Sequence, residues 1–298
     1  MAASPGPHRR LPAEVVAALA CPHDAGPLTQ DDTGLICPAG HRFDRARQGH
    51  VTLTAGPLRH AGDTADQVAR RLAVHREGVL RAVHAAVVAE AMAAPLPGGL
   101  VADLGAGPGT YLAAVLDALP ARAGLAVDVS KAAARRAARC HPRAGAVVAD
   151  VWDRIPVRDR AAALVLLVFA PRSGGEPARL LADGGAVVVV TPGPDHLAEL
   201  RERTPALRQA PDKLADVAAA LGPDLHPAPV RHITDRRRVP RHVAVDLVAM
   251  GPSGHHLDAR DLDRVAEALP AGIEVSVDVR VQRWQRAPLT PGAPNDAG

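Results

Sequence analysis

Five apolar runs alternate with helical stretches between residues 98 and 200 of this 298-residue chain. The runs are rich in Val, Leu and Ala and lack polar alternation, so they fit strands that are buried on both faces. Parallel strands of this kind are joined by crossover helices, which the intervening stretches can supply. The pattern predicts a doubly wound α/β domain. Its strands are expected at "GLVADLG", "AGLAVDVS", "AGAVVAD", "AAALVLLVFA" and "GGAVVVVT".

The other regions are arranged around this domain. We expect a flexible tail over 1–17, a small β-rich module over 18–56, a helical connector over 57–97, the α/β domain over 98–287 and a second flexible tail over 288–298. The segment "LPAEVVAALAC" predicts a short helix after the first tail. Two late strands are predicted at "RHVAVDLVAM" and "IEVSVDVRVQRW", separated by a helix at "DARDLDRVAEALP".

The stretch "VADLGAGPGTYL" runs from a buried strand through Gly105, Gly107 and Gly109 into a helix that begins near Thr110. Glycine suits a tight turn that a ligand approaches without a Cβ in the way. The spacing is GxGxG rather than the GxGxxG of dinucleotide sites. Asp103, two residues before the first glycine, favours a cationic cofactor over a pyrophosphate. S-adenosylmethionine (SAM), which carries a sulfonium and an amino group, meets that requirement.

Two further acids follow the next two strands. Asp128 ends the second strand, where a carboxylate can accept both ribose hydroxyls, and Asp150 with Val151 follows the third strand beside the expected adenine. The alternative is that the glycine turn is only a tight connection and that Asp128 or Ser130 caps the next helix. Taken together in this order, the acids and glycines favour SAM binding and methyl transfer.

The acceptor pocket is predicted at the end of the fourth strand. There Pro171 turns the chain, Phe169 can stack on a base, and Arg172 can meet a phosphate or a carbonyl. The alternative for Phe169 is a core position. His196, after the fifth strand on the same rim, can contact cofactor or substrate, or cap the following helix.

The segment "CPHDAGPLTQDDTGLICPAGH" carries residues of the types that bind zinc, although its first half reads C-P-H-D rather than CxxC. Cys21, Cys37 and His41 supply three ligands, and either Asp24 or His23 can supply the fourth. Imidazole is the better ligand by type, but His23 is displaced by one residue. The alternative is that the cysteines are small buried residues with no metal.

Charge and cysteine content limit the partners and the cellular compartment that the sequence predicts. The net charge of +3 permits a polyanionic partner without requiring one. Three cysteines, with Cys140 isolated, cannot form a disulfide framework, which predicts a reducing cytoplasm. No apolar run reaches the length of a membrane span.

With these motifs in place, the chain resembles the bacterial 23S rRNA guanine-N1-methyltransferases, in particular the branch that confers resistance to tylosin-type macrolides. The resemblance covers nearly all of residues 18–285. Its most specific segments include "ICPAGHRFDRARQGHVTL", "VADLGAGPGT", "VVADVWDRIPVRD", "VFAPR" and "TPGPDHLAEL".

The resemblance implies a class I SAM-dependent methyltransferase with an N-terminal zinc module that helps to recognise a 23S rRNA stem-loop near the peptide exit tunnel. It implies metal ligands at Cys21, Asp24, Cys37 and His41. It also implies cofactor contacts from Gly105 to Leu112, with Tyr111 and Leu112 beside the methionine, and at His196. A homodimer is left open.

Two departures from the family pattern stand out. Asp24 occupies the place of a second cysteine, and Leu80 occupies that of a tyrosine expected to touch the cofactor. A small-molecule methyltransferase that has lost its RNA target is therefore one alternative function. A non-catalytic rRNA-binding protein is another, although the intact glycines and Asp128 argue against it.

Overall fold

A computed structural model describes residues 9–93, 95–171, 174–204, 214–251, 254 and 257–287. The strands are β1 (Thr29–Gln30), β2 (Gly34–Ile36), β3 (Arg42–Asp44), β4 (Val51–Thr52), β5 (Leu100–Leu104), β6 (Gly124–Asp128), β7 (Ala144–Val148), β8 (Ala162–Val168), β9 (Leu181–Pro192), β10 (Leu225–Pro227), β11 (Arg231–Pro240) and β12 (Gly272–Arg286). The helices are α1 (Ala13–Ala18), α2 (Ala65–Arg76), α3 (Arg81–Met92), α4 (Thr110–Ala118), α5 (Lys131–Ala137), α6 (Glu176–Leu180), α7 (Ala198–Arg203), α8 (Leu214–Leu221), α9 (Arg241–Ala249) and α10 (Ala259–Ala268).

The large sheet has the strand order β10-β12-β9-β8-β5-β6-β7-β4, and β11 also pairs with β12. Strands β4 to β9 pair in parallel, whereas β12 runs antiparallel to β9, β10 and β11. From β5 the chain moves outward through β6 to β7 and then returns to β8 on the other side of β5. This reversal opens a crevice at the carboxyl ends of β5 and β8, where open α/β sheets bind their ligands.

The predicted α/β domain is confirmed, and its five strands lie at the predicted runs. Every residue of β5, β7 and β8 is buried, because helices cover both faces of the sheet. Alternate residues of β5 pack in the hydrophobic cores on opposite faces of the sheet. Val101 packs in the core that contains α3 and α4, whereas Leu100 and Ala102 pack in the core that contains α1.

The N-terminal module contains the three-stranded antiparallel sheet β1-β2-β3. It is joined to the large sheet rather than separate from it, because β4 pairs in parallel with β7 at the edge. The predicted short helix is present as α1. Leu11 and Val15 are buried and pack against Gly145 of β7, so the packed chain begins before the predicted boundary at residue 18.

The prediction of a strand at "RHVAVDLVAM" is wrong, since this segment forms α9. Val243 and Leu247, four residues apart, are both buried, as are Ala244 and Val248, so the helical spacing satisfies the core although valine favours strands. A strand that the sequence did not predict, β11 ("RHITDRRRVP"), precedes α9 and pairs with β12. Its charged residues fit an edge strand, where most side chains are exposed.

The predicted helical connector contains α2 and α3, which are separated by a turn at Gly78. A capping box starts α2, in which Thr64 and Gln67 satisfy each other's backbone N–H groups. Among the described helices, none is long and apolar enough to cross a membrane.

Candidate functional site

A cavity of about 490 Å³ lies beside the reversal of strand order. Most of the residues predicted for cofactor and acceptor binding line it: Asp103, Gly105, Gly107, Thr110, Tyr111, Asp128, Asp150, Val151, Phe169, Pro171 and His196. Two predicted residues do not line the cavity: Gly109 is the N-cap of α4, and Leu112 packs in the hydrophobic core. Arg172 lies outside the described residues.

The glycine turn needs glycine at all three positions, because φ is +71° at Gly105, +54° at Gly107 and +80° at Gly109. A Cβ at Gly109 would also stand 2.8 Å from Cys140 Sγ. At Gly107 the nearest atom to an added Cβ would be Arg71 Cδ at 3.6 Å. An added Cβ would thus make only van der Waals contact with Arg71, and Gly107 lines the cavity where a ligand can approach its backbone.

Asp128 is tied to the turn by both of its oxygens. Oδ2 accepts a hydrogen bond from Gly107 N–H at 2.7 Å, and Oδ1 accepts one from Ser130 N–H at 2.8 Å. Burial raises the pKa of Asp128 in spite of these bonds. The cap of α5 is Ser130, whose Oγ accepts from Ala133 N–H at 3.1 Å. The second lone pair on each Asp128 oxygen remains available to a ligand with two adjacent hydroxyls.

At the other end of the turn, buried polar atoms lack partners among the described residues. These are Asp103 Oδ2, Tyr111 Oη and His196 Nδ1. Burial, with a smaller contribution from Asp128, raises the pKa of Asp103 to about 7. Orphaned buried atoms are rare in native proteins, and because these three residues line the cavity, a polar ligand there can complete their hydrogen bonding. A ligand with a cationic end fits beside the Asp103 carboxylate.

Two histidines that the sequence did not single out support this end of the cavity. His75 Nδ1 lies 3.0 Å from His84 Nε2, and His75 Nε2 lies 3.2 Å from Thr110 Oγ1. The His84 ring stacks on Tyr111 with a centroid separation of 4.2 Å. Burial lowers the pKa of His75 to about 3 and that of His84 to about 4, so both rings are neutral at physiological pH. No sequence motif joins these residues, which come from different helices. Leu80 also lines the cavity.

The acceptor side is formed where β8 ends. Phe169 adopts a left-handed conformation with φ of +53°, which is uncommon for an aromatic residue, and its N–H donates to Val190 O at 3.1 Å. Its ring stacks on His196 with a centroid separation of 5.7 Å, and the residue as a whole is 37% exposed. Burial lowers the pKa of His196 to about 4, so this ring is also neutral. Strained aromatic residues of this kind cluster at binding sites.

The four residues named for zinc binding converge in the N-terminal module. The ligand atoms of Cys21, Asp24, Cys37 and His41 all lie within 4.8 Å of one another. His41 Nδ1 is 3.5 Å from Cys21 Sγ, 3.3 Å from Cys37 Sγ and 3.3 Å from Asp24 Oδ2. A tetrahedral zinc ion with bonds of 2.0–2.3 Å separates its ligands by about 3.3–3.8 Å. The cluster therefore fits zinc.

His23 takes a different place. Its ring stacks against His41, with centroids 4.6 Å apart, and against Phe43 at 6.0 Å. It is not part of the convergent cluster. Asp24 Oδ1 accepts from Gly26 N–H at 2.8 Å, which orients the carboxylate with Oδ2 toward Cys37 and His41. Geometry favours Asp24 over His23 as the fourth ligand.

Known proteins resemble this chain both in the module that holds the zinc cluster and over most of its length. The family model described as RlmA, N-terminal, a zinc ribbon, matches residues 19–56. A Micromonospora griseorubida protein named as a 23S rRNA (guanine-N1)-methyltransferase is 44% identical, over 90% of this chain and 97% of its own length. The 23S rRNA (guanine(748)-N(1))-methyltransferase of Streptomyces fradiae is 43% identical, over 89% of this chain and 95% of its own length.

The family model covers the zinc cluster, and the two relatives match about nine-tenths of the chain. The chain belongs to the family of 23S rRNA (guanine-N1)-methyltransferases.

Proposed function

We propose that this chain transfers a methyl group from SAM to N1 of a guanine in a stem-loop of 23S rRNA, in the cytoplasm. The observation that carries the proposal is the cavity at the strand reversal, with its glycine turn and Asp128, in a chain that matches rRNA methyltransferases over about nine-tenths of its length. Resistance to tylosin-type macrolides is the expected consequence for a cell that carries the modification.

The polar groups of the cavity suit the parts of SAM in order. SAM, when bound, supplies a methyl group on a sulfonium, which is a good leaving group. Asp128 accepts the two ribose hydroxyls with its remaining lone pairs. Asp103 neutralises the cationic amino acid end, and Tyr111 supplies a hydroxyl there. Asp150 and Val151 line the part of the cavity beyond the third strand of the domain, where the adenine is expected.

The acceptor guanine is proposed to lie against Phe169. An aromatic side chain at the mouth of the cavity can stack on a base, and its fixed backbone keeps the ring in one place. Pro171 limits the space beside it, and Arg172 is proposed to meet a phosphate or a carbonyl. The protein's contribution is to align N1 with the methyl carbon and to exclude water. His196 is proposed as a cofactor contact between the two ligands.

The zinc module is proposed to position the RNA. Cys21, Asp24, Cys37 and His41 would hold one structural zinc ion and so fix the loops of the module. Since β4 of this module pairs with the large sheet, its orientation relative to the cavity is also fixed. A stem-loop that binds the module would therefore reach the cavity in one orientation. Whether the protein dimerises stays a prediction.

The test is incubation of the purified protein with radiolabelled SAM and either unmodified 23S rRNA or a small-molecule extract. We expect label in the 23S rRNA and none in the small molecules. The Asp128→Asn variant serves as a control for dependence on the cavity. Label only in small molecules would show that the substrate has changed, and label in neither fraction would refute methyl transfer.

A further inference from the structure

Positive charge is concentrated on the exposed side of α5 and of the turn that follows it. Lys131, Arg135, Arg136 and Arg139 are all exposed, and the segment "KAAARRAARC" contains no acidic residue. Lys131 and Arg135 are four residues apart and therefore share one face of the helix. Among the described residues, no carboxylate forms an ion pair with any of these four side chains.

The stability of α5 accounts for only part of this charge. Arg135 and Arg136 lie in the last turn, where cations interact favourably with the helix dipole. Lys131 lies in the first turn, where a cation is unfavourable and no acid balances it. Like charges that lack counterions within the protein also repel one another, and a bound polyanion relieves that repulsion. The charge therefore fits a binding surface better than a stabilising ion-pair network.

A loop of the N-terminal module lies against α5 and extends this positive charge. Two backbone hydrogen bonds hold the loop 46–50, and β4, which follows it, pairs with β7 of the large sheet. A Cβ at Gly49 would stand 3.8 Å from Ala138 Cβ in the turn after α5. Arg47 of this loop is exposed, and it has no ion pair with a described acid. Its charge adds to that of α5.

His50, at the end of the same loop, lies close to the cations of α5. The residue is buried, and burial lowers its pKa. The charges of Arg135 and Lys131 lower that pKa further, so the positive field of the helix reaches the module. The module and α5 therefore form one continuous positive surface, which consists of Arg47, Lys131, Arg135, Arg136 and Arg139 and is called the α5 surface below.

The other end of the α5 surface reaches the cavity. Lys131 follows Ser130, whose Oγ donates to Asp63 O at 2.5 Å. A Cβ at Gly62 would stand 2.6 Å from Ser130 N, so the two segments are in close contact. Both Gly62 and Asp63 line the cavity. The α5 surface thus runs from the N-terminal module to the wall of the cavity.

The arginine-rich strand β11 differs from the α5 surface. Its charge is partly neutralised within the molecule, since ion pairs join Arg231 to Glu90 at 3.0 Å and Arg237 to Asp235 at 2.8 Å. Such pairs leave less charge for an external anion. Of these two basic regions, the α5 surface is the better candidate for binding a polyanion.

We propose that the α5 surface binds the phosphate backbone of the RNA substrate and holds the RNA between the N-terminal module and the cavity. The inference rests on RNA being the substrate, as proposed above. Contacts of Lys and Arg with phosphates supply affinity and position but do not select a base. Because one end of the surface lies in the module and the other beside the cavity, RNA bound along it is positioned relative to both.

The test replaces Lys131 and Arg135 together with glutamine and measures the Kd of the full chain for unmodified 23S rRNA over a range of salt concentrations. We expect roughly tenfold weaker binding at low salt. The slope of log Kd against log salt concentration should fall by roughly 1.4–1.8, because each phosphate contact contributes about 0.7 in single strands and about 0.9 in duplex.

Arg260 and Arg264, both changed to glutamine, provide the matched control. They are exposed and four residues apart on α10, so the same charge is removed at the same spacing. Affinity and salt slope should then equal those of the wild type. Calorimetric titration with S-adenosylhomocysteine should give the same affinity for all three proteins, which shows that the cavity remains folded.

A second measurement needs no variant. The chain has only two lysines, Lys131 and Lys213, so acetylation of Lys131 in the wild type can be followed by mass spectrometry. Bound 23S rRNA should protect Lys131, and this result decides the matter if the double variant does not fold. Unprotected Lys131 in the complex, or a folded double variant with the affinity and salt slope of the wild type, would overturn the inference and leave methyl transfer to rRNA intact. A wild type that binds S-adenosylhomocysteine but not 23S rRNA would instead refute RNA as the substrate, and the inference with it.

Discussion

Replacing Asp128 with asparagine tests the cofactor assignment at its most connected residue. The carboxylate accepts from the N–H groups of Gly107 and Ser130 and is proposed to accept both ribose hydroxyls. An asparagine has one acceptor oxygen, and its amide nitrogen would face a backbone N–H donor. The substitution therefore removes one backbone hydrogen bond, from Gly107 or from Ser130, and one acceptor for a ribose hydroxyl.

The expected loss follows from the charge of the group. A hydrogen bond to a charged partner contributes about 1.5–3 kcal/mol, so loss of one ribose contact should weaken cofactor binding roughly 10- to 150-fold. Displacement of the turn adds to this loss, which makes the estimate a lower bound. Transfer to saturating RNA should recover in part at high SAM concentration, because the methyl acceptor side is untouched.

Calorimetric titration with S-adenosylhomocysteine measures the effect directly. Asp117→Asn is the matched control, since its side chain is 76% exposed on α4 and should leave affinity unchanged. Thermal unfolding of both variants separates lost binding from lost folding. If Asp128→Asn binds S-adenosylhomocysteine within twofold of the wild type while remaining folded, the ribose assignment is refuted.

Three further predictions concern the metal, the turn and pH. Asp24→Ala should reduce bound zinc from one equivalent to less than about half, whereas His23→Ala should keep it; elemental analysis showing the reverse would transfer the ligand role to His23. Gly109→Ala should lower the free energy of unfolding by at least about 1 kcal/mol, because φ is positive there and the new Cβ would contact Cys140. Gly56→Ala is the control and should be nearly neutral in urea unfolding, because the space around Gly56 is open. Burial raises the pKa of Asp103 to about 7, so the folded apoprotein holds this proton more tightly than the unfolded chain does. The contribution of Asp103 to stability is therefore greatest below about pH 4 and falls as pH rises to 7, by no more than about 4 kcal/mol. Asp103→Asn should remove that fall, and equal slopes of stability against pH in variant and wild type would contradict it.

The sequence predicts those parts of the fold in which burial or backbone conformation allows only one type of residue. Strands such as β5 and β8, buried on both faces, must be continuously apolar, and the glycine turn needs glycine because all three φ angles are positive. At α9 and β11 the pattern was misleading. The valines of α9 favour a strand by residue type, but their spacing buries them on one face of a helix. The arginines of β11 are tolerated because the strand lies at an edge and is mostly exposed, so its sequence lacks the apolar pattern of a strand.

The candidate site divides in the same way. Asp128 and Asp150 follow strands that the sequence predicts, so their meeting on one rim follows from the topology. The contacts of His75 with His84, and of His60 with Asp150, join residues from separate elements with no motif between them. Such contacts depend on how α2, α3 and the preceding segment pack on the sheet, and this requires coordinates.

Identification of the methylated base tests the central claim most directly. 23S rRNA labelled by the purified protein is digested to nucleosides, and the methylated product is separated and identified by mass spectrometry against synthetic standards. The proposed function predicts 1-methylguanosine, at one methyl group per rRNA, and its absence with Asp128→Asn at low SAM concentration. A methyl group on another atom or another base, or unlabelled rRNA beside an active small-molecule reaction, would contradict it.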